Sequence, residues 1–195
     1  MIIGREKEIA TLQGLLGSDE SQFVAVYGRR RVGKTFLIRE AYNYDFVFQH
    51  TSTYGATRKQ QLSDFRESLY NAGMGKCAMP KTWSDAFHLL WDFLKVMPVD
   101  GKKKVIFIDE LPWMDTPKSN FVRSLDHFWN AWATTRKDII LVICGSATSW
   151  IIDNVIMNYG GLHNRLTCKV HLQPFCLREC KQYCESKNLG YKDRQ

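Results

Sequence analysis

The segment Gly28-Arg29-Arg30-Arg31-Val32-Gly33-Lys34-Thr35 constrains this chain more than any other stretch of it. It fits the pattern G-x-x-x-x-G-K-[ST], and its surroundings fit too. The apolar run Phe23-Val24-Ala25-Val26-Tyr27 precedes it, and a helical pattern through Phe36, Leu37 and Ile38 follows. A strand delivers such a loop, and its glycines let the backbone turn so that successive N–H groups converge. The helix N-terminus then adds its positive end, and the product is a cradle for phosphate oxygens. Lys34 is expected to reach the β- and γ-phosphates of a nucleotide, and Thr35 to ligate Mg²⁺. The nucleotide-binding set read from this segment is Gly28, Arg29, Arg30, Arg31, Val32, Gly33, Lys34, Thr35 and Phe36.

The rest of the chain alternates helical and strand patterns. Ile9, Leu12, Leu15 and Leu16 recur at helical spacing between Arg5 and Leu16, and a short strand is expected over Asp45 to Gln49. Amphipathic helices are expected between Thr57 and Met74 and from Ser84 to Val96, and a further one carries Phe121, Leu125, Phe128, Trp129 and Trp132. Val105 to Asp109 and Ile139 to Cys144 are near-continuous apolar runs of the kind found in parallel strands covered on both faces. A last short helix near Trp150 to Val155 leads through Asn158-Tyr159-Gly160-Gly161 to a strand over Lys169 to Leu172. Alternation of this kind predicts right-handed βαβ units and an α/β fold, whose ligands bind at the C-terminal strand ends. Gly28, Asp109, Glu110 and Ser146 all fall at such ends.

The run Val105 to Glu110 supplies a second part of the site. Asp109 at the strand tip is expected to hold Mg²⁺, an ion that takes one or two carboxylates together with phosphates and waters. Glu110, one residue on, is placed to polarise an attacking water. Ser146 follows another strand, and resemblance to the additional-strand branch of the P-loop proteins, whose extra strand ends in a polar sensor near the γ-phosphate, implies that role for it; a Gly-Ser turn is also ordinary loop chemistry.

Ile3-Gly4-Arg5-Glu6 before a helix, the segment Val26 to Thr35, Ile108-Asp109-Glu110-Leu111-Pro112-Trp113 and Cys144-Gly145-Ser146-Ala147 occur in this order. Asn164-Arg165-Leu166 and Leu172-Gln173-Pro174-Phe175 complete it. Together they resemble the archaeal and bacterial AAA-type ATPases of the signal-transduction NTPase branch, over nearly the whole chain. The resemblance implies a three-layer αβα P-loop core with a mostly parallel five-stranded sheet in the order 5-1-4-3-2, which binds and hydrolyses ATP. It also implies that Arg165 is a finger reaching a neighbouring subunit's γ-phosphate, and that the Ile3-Gly4-Arg5 turn contacts adenine. Relatives continue into a helical lid, so residues 1–175 are read as the ATPase core and 176–195 as the start of a lid that is missing or truncated. Turnover is then expected to be slow.

Composition narrows the remaining choices. The chain has 195 residues, enough for one domain, and 45% are hydrophobic, which is globular composition. No apolar run approaches the ~18 residues of a membrane span, and the N-terminus lacks a signal peptide's apolar stretch, so a cytoplasmic protein is expected. The net charge of +7 suits polyanionic partners. Two function classes follow: a Mg²⁺-dependent ATPase that switches attached or partner domains, with a homo-oligomer among its forms, or a nucleic-acid or protein interaction module that binds ATP with little turnover. A small-molecule kinase is a third reading, which the contiguous Asp109-Glu110 pair suits less well. Lys102-Lys103-Lys104 reads as a solvated strand entrance or, alternatively, a nucleic-acid stripe. The six cysteines form no CxxC pair and read as reduced thiols. Cys176, Cys180 and Cys184 stack on one helix face, with His163 and His171 nearby, but match no common zinc spacing.

Overall fold

Apolar side chains on a strand alternate between two faces, so an uninterrupted apolar run needs cover on both. The chain supplies it. In the computed structural model, which describes residues 3–157, 162 and 164–187, five strands form one parallel sheet. They are β1 (Gln22–Tyr27), β2 (Phe48–Thr51), β3 (Lys104–Asp109), β4 (Ile139–Gly145) and β5 (Cys168–His171). Their spatial order is β2-β3-β4-β1-β5, the expected order read from the other edge. In the centre Phe23 lies opposite Leu141, and Leu141 opposite Ile106, so whole rows of large side chains meet on each face.

One face carries Val24, Val26, Val105, Phe107, Ile140 and Val142 and packs under α1 (Glu6–Gly14) and α2 (Lys34–Ala41). The other carries Phe23, Ala25, Ile106, Ile108, Leu141 and Ile143 under α3 (Arg58–Leu69), α4 (Trp83–Lys95) and α5 (Phe121–Ala131). The second layer is aromatic: Phe65 meets Trp83 edge-on at 5.7 Å, Phe87 stacks on Phe128 at 5.4 Å, and Trp129 lies 4.9 Å from Phe23. Each such buried side chain contributes about 1.5–3 kcal/mol relative to exposure, so this layer dominates the core. α3 and α4 each begin in a capping box, Thr57 with Gln60 and Thr82 with Asp85. The threonine accepts from the third helical amide, and the partner side chain returns the bond.

Several boundaries differ from the sequence reading. Strand β2 starts at Phe48 rather than Asp45, because Asn43 and Tyr44 take left-handed backbone (φ 51° and 59°) and the Asp45 amide donates to the Tyr42 carbonyl. A turn consumes the first expected strand residues. The helix expected near Trp150 is α6 (Thr148–Ile151), followed by a wider turn over Ile152–Ile156 in which the Met157 amide donates to the Ile152 carbonyl. Strand β5 begins one residue early, at Cys168. Residues 158–161, His163 and residues 188–195 fall outside the described residues. The last helix, α7 (Leu177–Ser186), has no buried residue, and Cys176, Cys180 and Cys184 are free thiols along it. Among the described residues no three His, Cys, Asp or Glu side chains form a metal-holding group, and no helix is long and apolar enough to cross a membrane.

The Lys102–Lys104 run is not simply a solvated entrance. Lys104 is buried and its ammonium lies 2.6 Å from the Asp100 carboxylate, while Lys103 donates to the carbonyls of Glu20 and Lys137 at 2.7 and 2.6 Å. These lysines stitch the entrances of β1, β3 and β4 together, because three parallel strands begin beside one another there.

Candidate active site

Parallel strands present all their C-terminal ends on one edge, and there the loop after β1 meets the ends of β2, β3 and β4. The loop closes as its two glycines require. Gly28 has φ 147°, and a Cβ there would collide with the Leu172 carbonyl oxygen, because β5 runs past at hydrogen-bond distance. Gly33 has φ 90° and caps α2, a left-handed position that a Cβ would strain. Arg31 shares that region with φ 66°, so the loop turns sharply even at a residue with a side chain.

Lys34 is buried beneath this loop, and its ammonium donates to the carbonyls of Gly28 at 3.0 Å and Arg29 at 2.8 Å. Thr35 Oγ1 donates to Asp109 Oδ2 at 2.7 Å. Asp109 is 4% exposed, and its other oxygen accepts the Glu110 amide at 2.9 Å. The Thr35 hydroxyl and the Asp109 carboxylate form an oxygen-only pair at the mouth of the loop, a donor set that fits a hard divalent cation such as Mg²⁺. Behind them on β4, burial, with Asp109 alongside, pushes the Cys144 thiol well above its usual range.

Glu110 stands in left-handed backbone, φ 50°, and two contacts fix it. The Ser52 hydroxyl at the end of β2 donates to the Glu110 carbonyl. Glu110 Oε2 accepts both the Ser146 amide, at 3.2 Å, and the Ser146 hydroxyl, at 3.0 Å. The structure therefore brings Lys34, Thr35, Asp109, Glu110 and Ser146 to one edge. Arg29, Arg30 and Arg31 are exposed around them.

Beside the loop opens a cleft of about 850 Å³ with Arg31, Val32, Gly33 and Phe36 on one side and Ile3, Arg5, Pro174, Phe175 and Tyr183 on the other. Its walls are mainly apolar and aromatic, as a flat heterocycle requires. Arg5 lines it with its guanidinium already engaged: it donates to the Gln173 carbonyl at 2.5 Å and lies 4.6 Å over the Phe175 ring on the same wall. Gly4 is buried against Glu179 and does not line the cleft. Arg165 is not brought to this edge. It is exposed in the turn that enters β5, beside Thr167, whose amide donates to the Phe23 carbonyl near the start of β1. Residues the sequence reading passed over include Ser52, one of a run of polar residues after a short strand, and Tyr183, three residues beyond Cys180. Neither lies in a motif, so no local signal marked them.

Comparison with known proteins agrees with this fold. A family model described as an ATPase domain predominantly from Archaea matches residues 2–188. An uncharacterized protein of Methanocaldococcus jannaschii, MJECL04, is 27% identical over 189 residues, which cover 94% of this chain and 38% of that protein. Among solved structures, the Walker-type ATPase PABY2304 of Pyrococcus abyssi superposes with a TM-score of 0.66 at 19% identity, covering 97% of this chain and 60% of that one. The Aeropyrum pernix ORC2 protein, in its ADPNP-ADP complexes, gives 0.64 at 17% identity, covering 98% of this chain and 53% of that one. The chain thus spans between about two fifths and three fifths of these proteins' lengths, and the two structures share its fold.

Proposed function

Because the chain belongs to the family of ATPase domains found predominantly in Archaea, we propose that it binds Mg²⁺-ATP in the loop and cleft described above and hydrolyses it. The observation that carries this reading is the meeting of Lys34 and Thr35, from the loop after β1, with Asp109 and Glu110 at the tip of β3, two strands that flank β4. The loop amides and Lys34 take the β- and γ-phosphates, with Lys34 exchanging its loop carbonyls for phosphate oxygens. The aromatic cleft beside Phe36 and Phe175 takes the base. Mg²⁺, held by Thr35 and Asp109, would neutralise phosphate charge. Glu110 orients a water in line with the terminal phosphate and accepts its proton, while the loop amides and Lys34 stabilise the charge that develops.

The motif order supports a place in the signal-transduction branch, where hydrolysis changes the conformation or assembly of attached domains. Helix α7 is positioned to report such a change. It closes one wall of the cleft through Tyr183 and Ser186, packs Glu179 against Gly4 and buries none of its residues fully, as the first helix of a lid would. Arg165 lies exposed in the turn that enters β5, at the opposite end of the strands from the phosphate loop, so a finger role for it is toward a neighbouring copy. On this reading Arg165→Ala lowers turnover at protein concentrations where copies associate and leaves binding intact; equal turnover at all concentrations removes the finger.

The direct test is equilibrium binding of a fluorescent ATP analogue with Mg²⁺, paired with phosphate release, for the parent and Lys34→Ala. The parent binds, ATP competes, and the variant loses affinity by about tenfold or more. Equal binding by both proteins refutes the loop as the phosphate site.

A further inference from the structure

Arg30 is the third residue of the phosphate loop, yet its side chain leaves the loop. Its Nε–H donates to Ser146 Oγ at 3.3 Å, and its guanidinium carbon lies 5.7 Å from the centre of the Trp113 ring. Both anchors belong to segments that hold Glu110. Ser146 Oγ, while accepting from Arg30, donates its own proton to Glu110 Oε2 at 3.0 Å, and the Ser146 amide donates to the same oxygen. Trp113 lies three residues after Glu110 in the turn Leu111–Met114, its amide donating to the Glu110 carbonyl at 3.0 Å. That ring is itself held. Gln61 Nε2 from α3 donates to the Trp113 carbonyl at 3.1 Å, and Tyr54 packs against the indole edge-on at 4.7 Å.

A serine hydroxyl has one proton and a free rotor, so what it accepts decides where it donates. With Arg30 Nε–H on one side, the Ser146 proton is directed to Glu110. An arginine is suited to this because its planar head can lie over an aromatic face while an edge N–H makes a directed bond; a lysine ammonium does not fix a plane. We propose that Arg30 is a positioning residue for Glu110, acting through the Ser146 hydroxyl rather than through contact with phosphate. The loop that holds the nucleotide thereby also sets the carboxylate that activates water. Linked hydrogen bonds polarise one another, so the middle member transmits the loss of either end.

This inference rests on the hydrolysis reading above, and two measurements separate their fates. The first is steady-state hydrolysis of Mg²⁺-ATP by the parent, Arg30→Ala, Arg30→Lys, Ser146→Ala and the Arg30→Ala/Ser146→Ala double variant. Arg30→Ala is expected to lower kcat by about tenfold with KM within about twofold, Arg30→Lys to leave kcat low, and the double variant to match Ser146→Ala. Rescue by lysine with a raised KM in the alanine variant would instead assign Arg30 to phosphate electrostatics and overturn the proposal, as would additive effects in the double variant. The second measurement needs no turnover: hydrogen exchange of the Ser146 amide, which donates to Glu110. Exchange in Arg30→Ala is expected to be about tenfold faster than in the parent, with protection in β4 unchanged. An unchanged Ser146 rate overturns the proposal even if the parent hydrolyses ATP. A raised rate in a parent that releases no phosphate supports the positioning contact and refutes the hydrolysis reading alone.

Discussion

The two edges of the sheet handle charge in opposite ways. At the entrance edge, Arg136 forms a two-pronged pair with Asp138 at 2.8 and 2.7 Å, with the side chains 12% and 5% exposed, and also donates to the carbonyls of Leu94 and Met97. The paired aspartate raises the Arg136 pKa further. Lys104 meets Asp100 on the same edge. At the exit edge, among the described residues, the Lys34 ammonium donates to carbonyls, Asp109 accepts from a hydroxyl and an amide with the Cys144 thiol alongside, and the Glu110 side chain bonds Ser146. Charges of both signs lie within one loop and two strand ends there, yet none of the three enters an ion pair among the described residues. Charges closed on each other fasten strands. Charges held by exchangeable neutral partners remain free to take a ligand's phosphates and cation.

This contrast predicts a double dissociation, and its largest arm is catalytic. Glu110→Gln keeps the shape and the Ser146 contact but removes the base, so turnover falls by about 10²–10⁴-fold while the melting temperature moves little. Calorimetry and phosphate release on one preparation check both. Arg136→Ala does the reverse. It leaves Asp138 buried without its partner, a loss of about 3 kcal/mol that lowers the melting temperature by about 6–12 °C in a chain of this size, with ATP affinity unchanged at temperatures where the protein is folded. Arg136→Ala with parental stability would break the comparison, because the entrance pair would then fasten nothing.

What the sequence disclosed of each edge follows from how local its signals are. The loop, Asp109 and Glu110 were readable because each motif sits in consecutive residues after an apolar run, and parallel strands necessarily bring such ends together. The order of the sheet came with the resemblance and is the order found. Contacts made by packing were not readable: Ser52 reaches Glu110 across a neighbouring strand, and Arg30 reaches Ser146 over a separation of 116 residues. Lys102–Lys104 was misread for the same reason, since a charge run shows its own repulsion but not the Glu20 and Lys137 carbonyls just before β1 and β4 that receive Lys103. Residues Asn43 and Tyr44 shifted β2 because left-handed backbone outside glycine leaves only a weak trace in composition.

A pH titration sharpens the comparison at the boundary between scaffold and site. His50 sits on β2 opposite Ile108, one residue before the pair Thr51 and Asp109. Its Nδ1 bonds Ser68 at 2.9 Å, its Nε2 is buried without a partner, and burial lowers its pKa from 6.5 to about 4. The folded chain therefore keeps His50 neutral where the unfolded chain protonates it. Stability is full above about pH 6.5 and declines as the pH falls toward 4, by about 2 kcal/mol at pH 5. Urea unfolding at pH 7 and pH 5 measures this, and His50→Leu is expected to remove that part of the slope. An equal slope in the variant would move the acid sensitivity to other groups.

The smallest effect is the most discriminating, because it compares two helices with the same cap. Thr57→Ala and Thr82→Ala each remove a capping box, and each is expected to lower stability by about 1 kcal/mol, or about 2–4 °C. Their consequences for the site differ. Helix α4 contributes its Leu94 carbonyl to Arg136 at the entrance edge, so Thr82→Ala leaves turnover at the parental value. Helix α3 carries Gln61, which donates to the carbonyls of Thr53 and Trp113 and so steadies the turn behind Glu110. Fraying its first turn therefore lowers kcat by about twofold. Phosphate release at a temperature well below both transitions reads the difference. Equal kcat in the two variants would mean that the exit edge is held by β3 and β4 alone, and that α3 fastens the core without reaching the site.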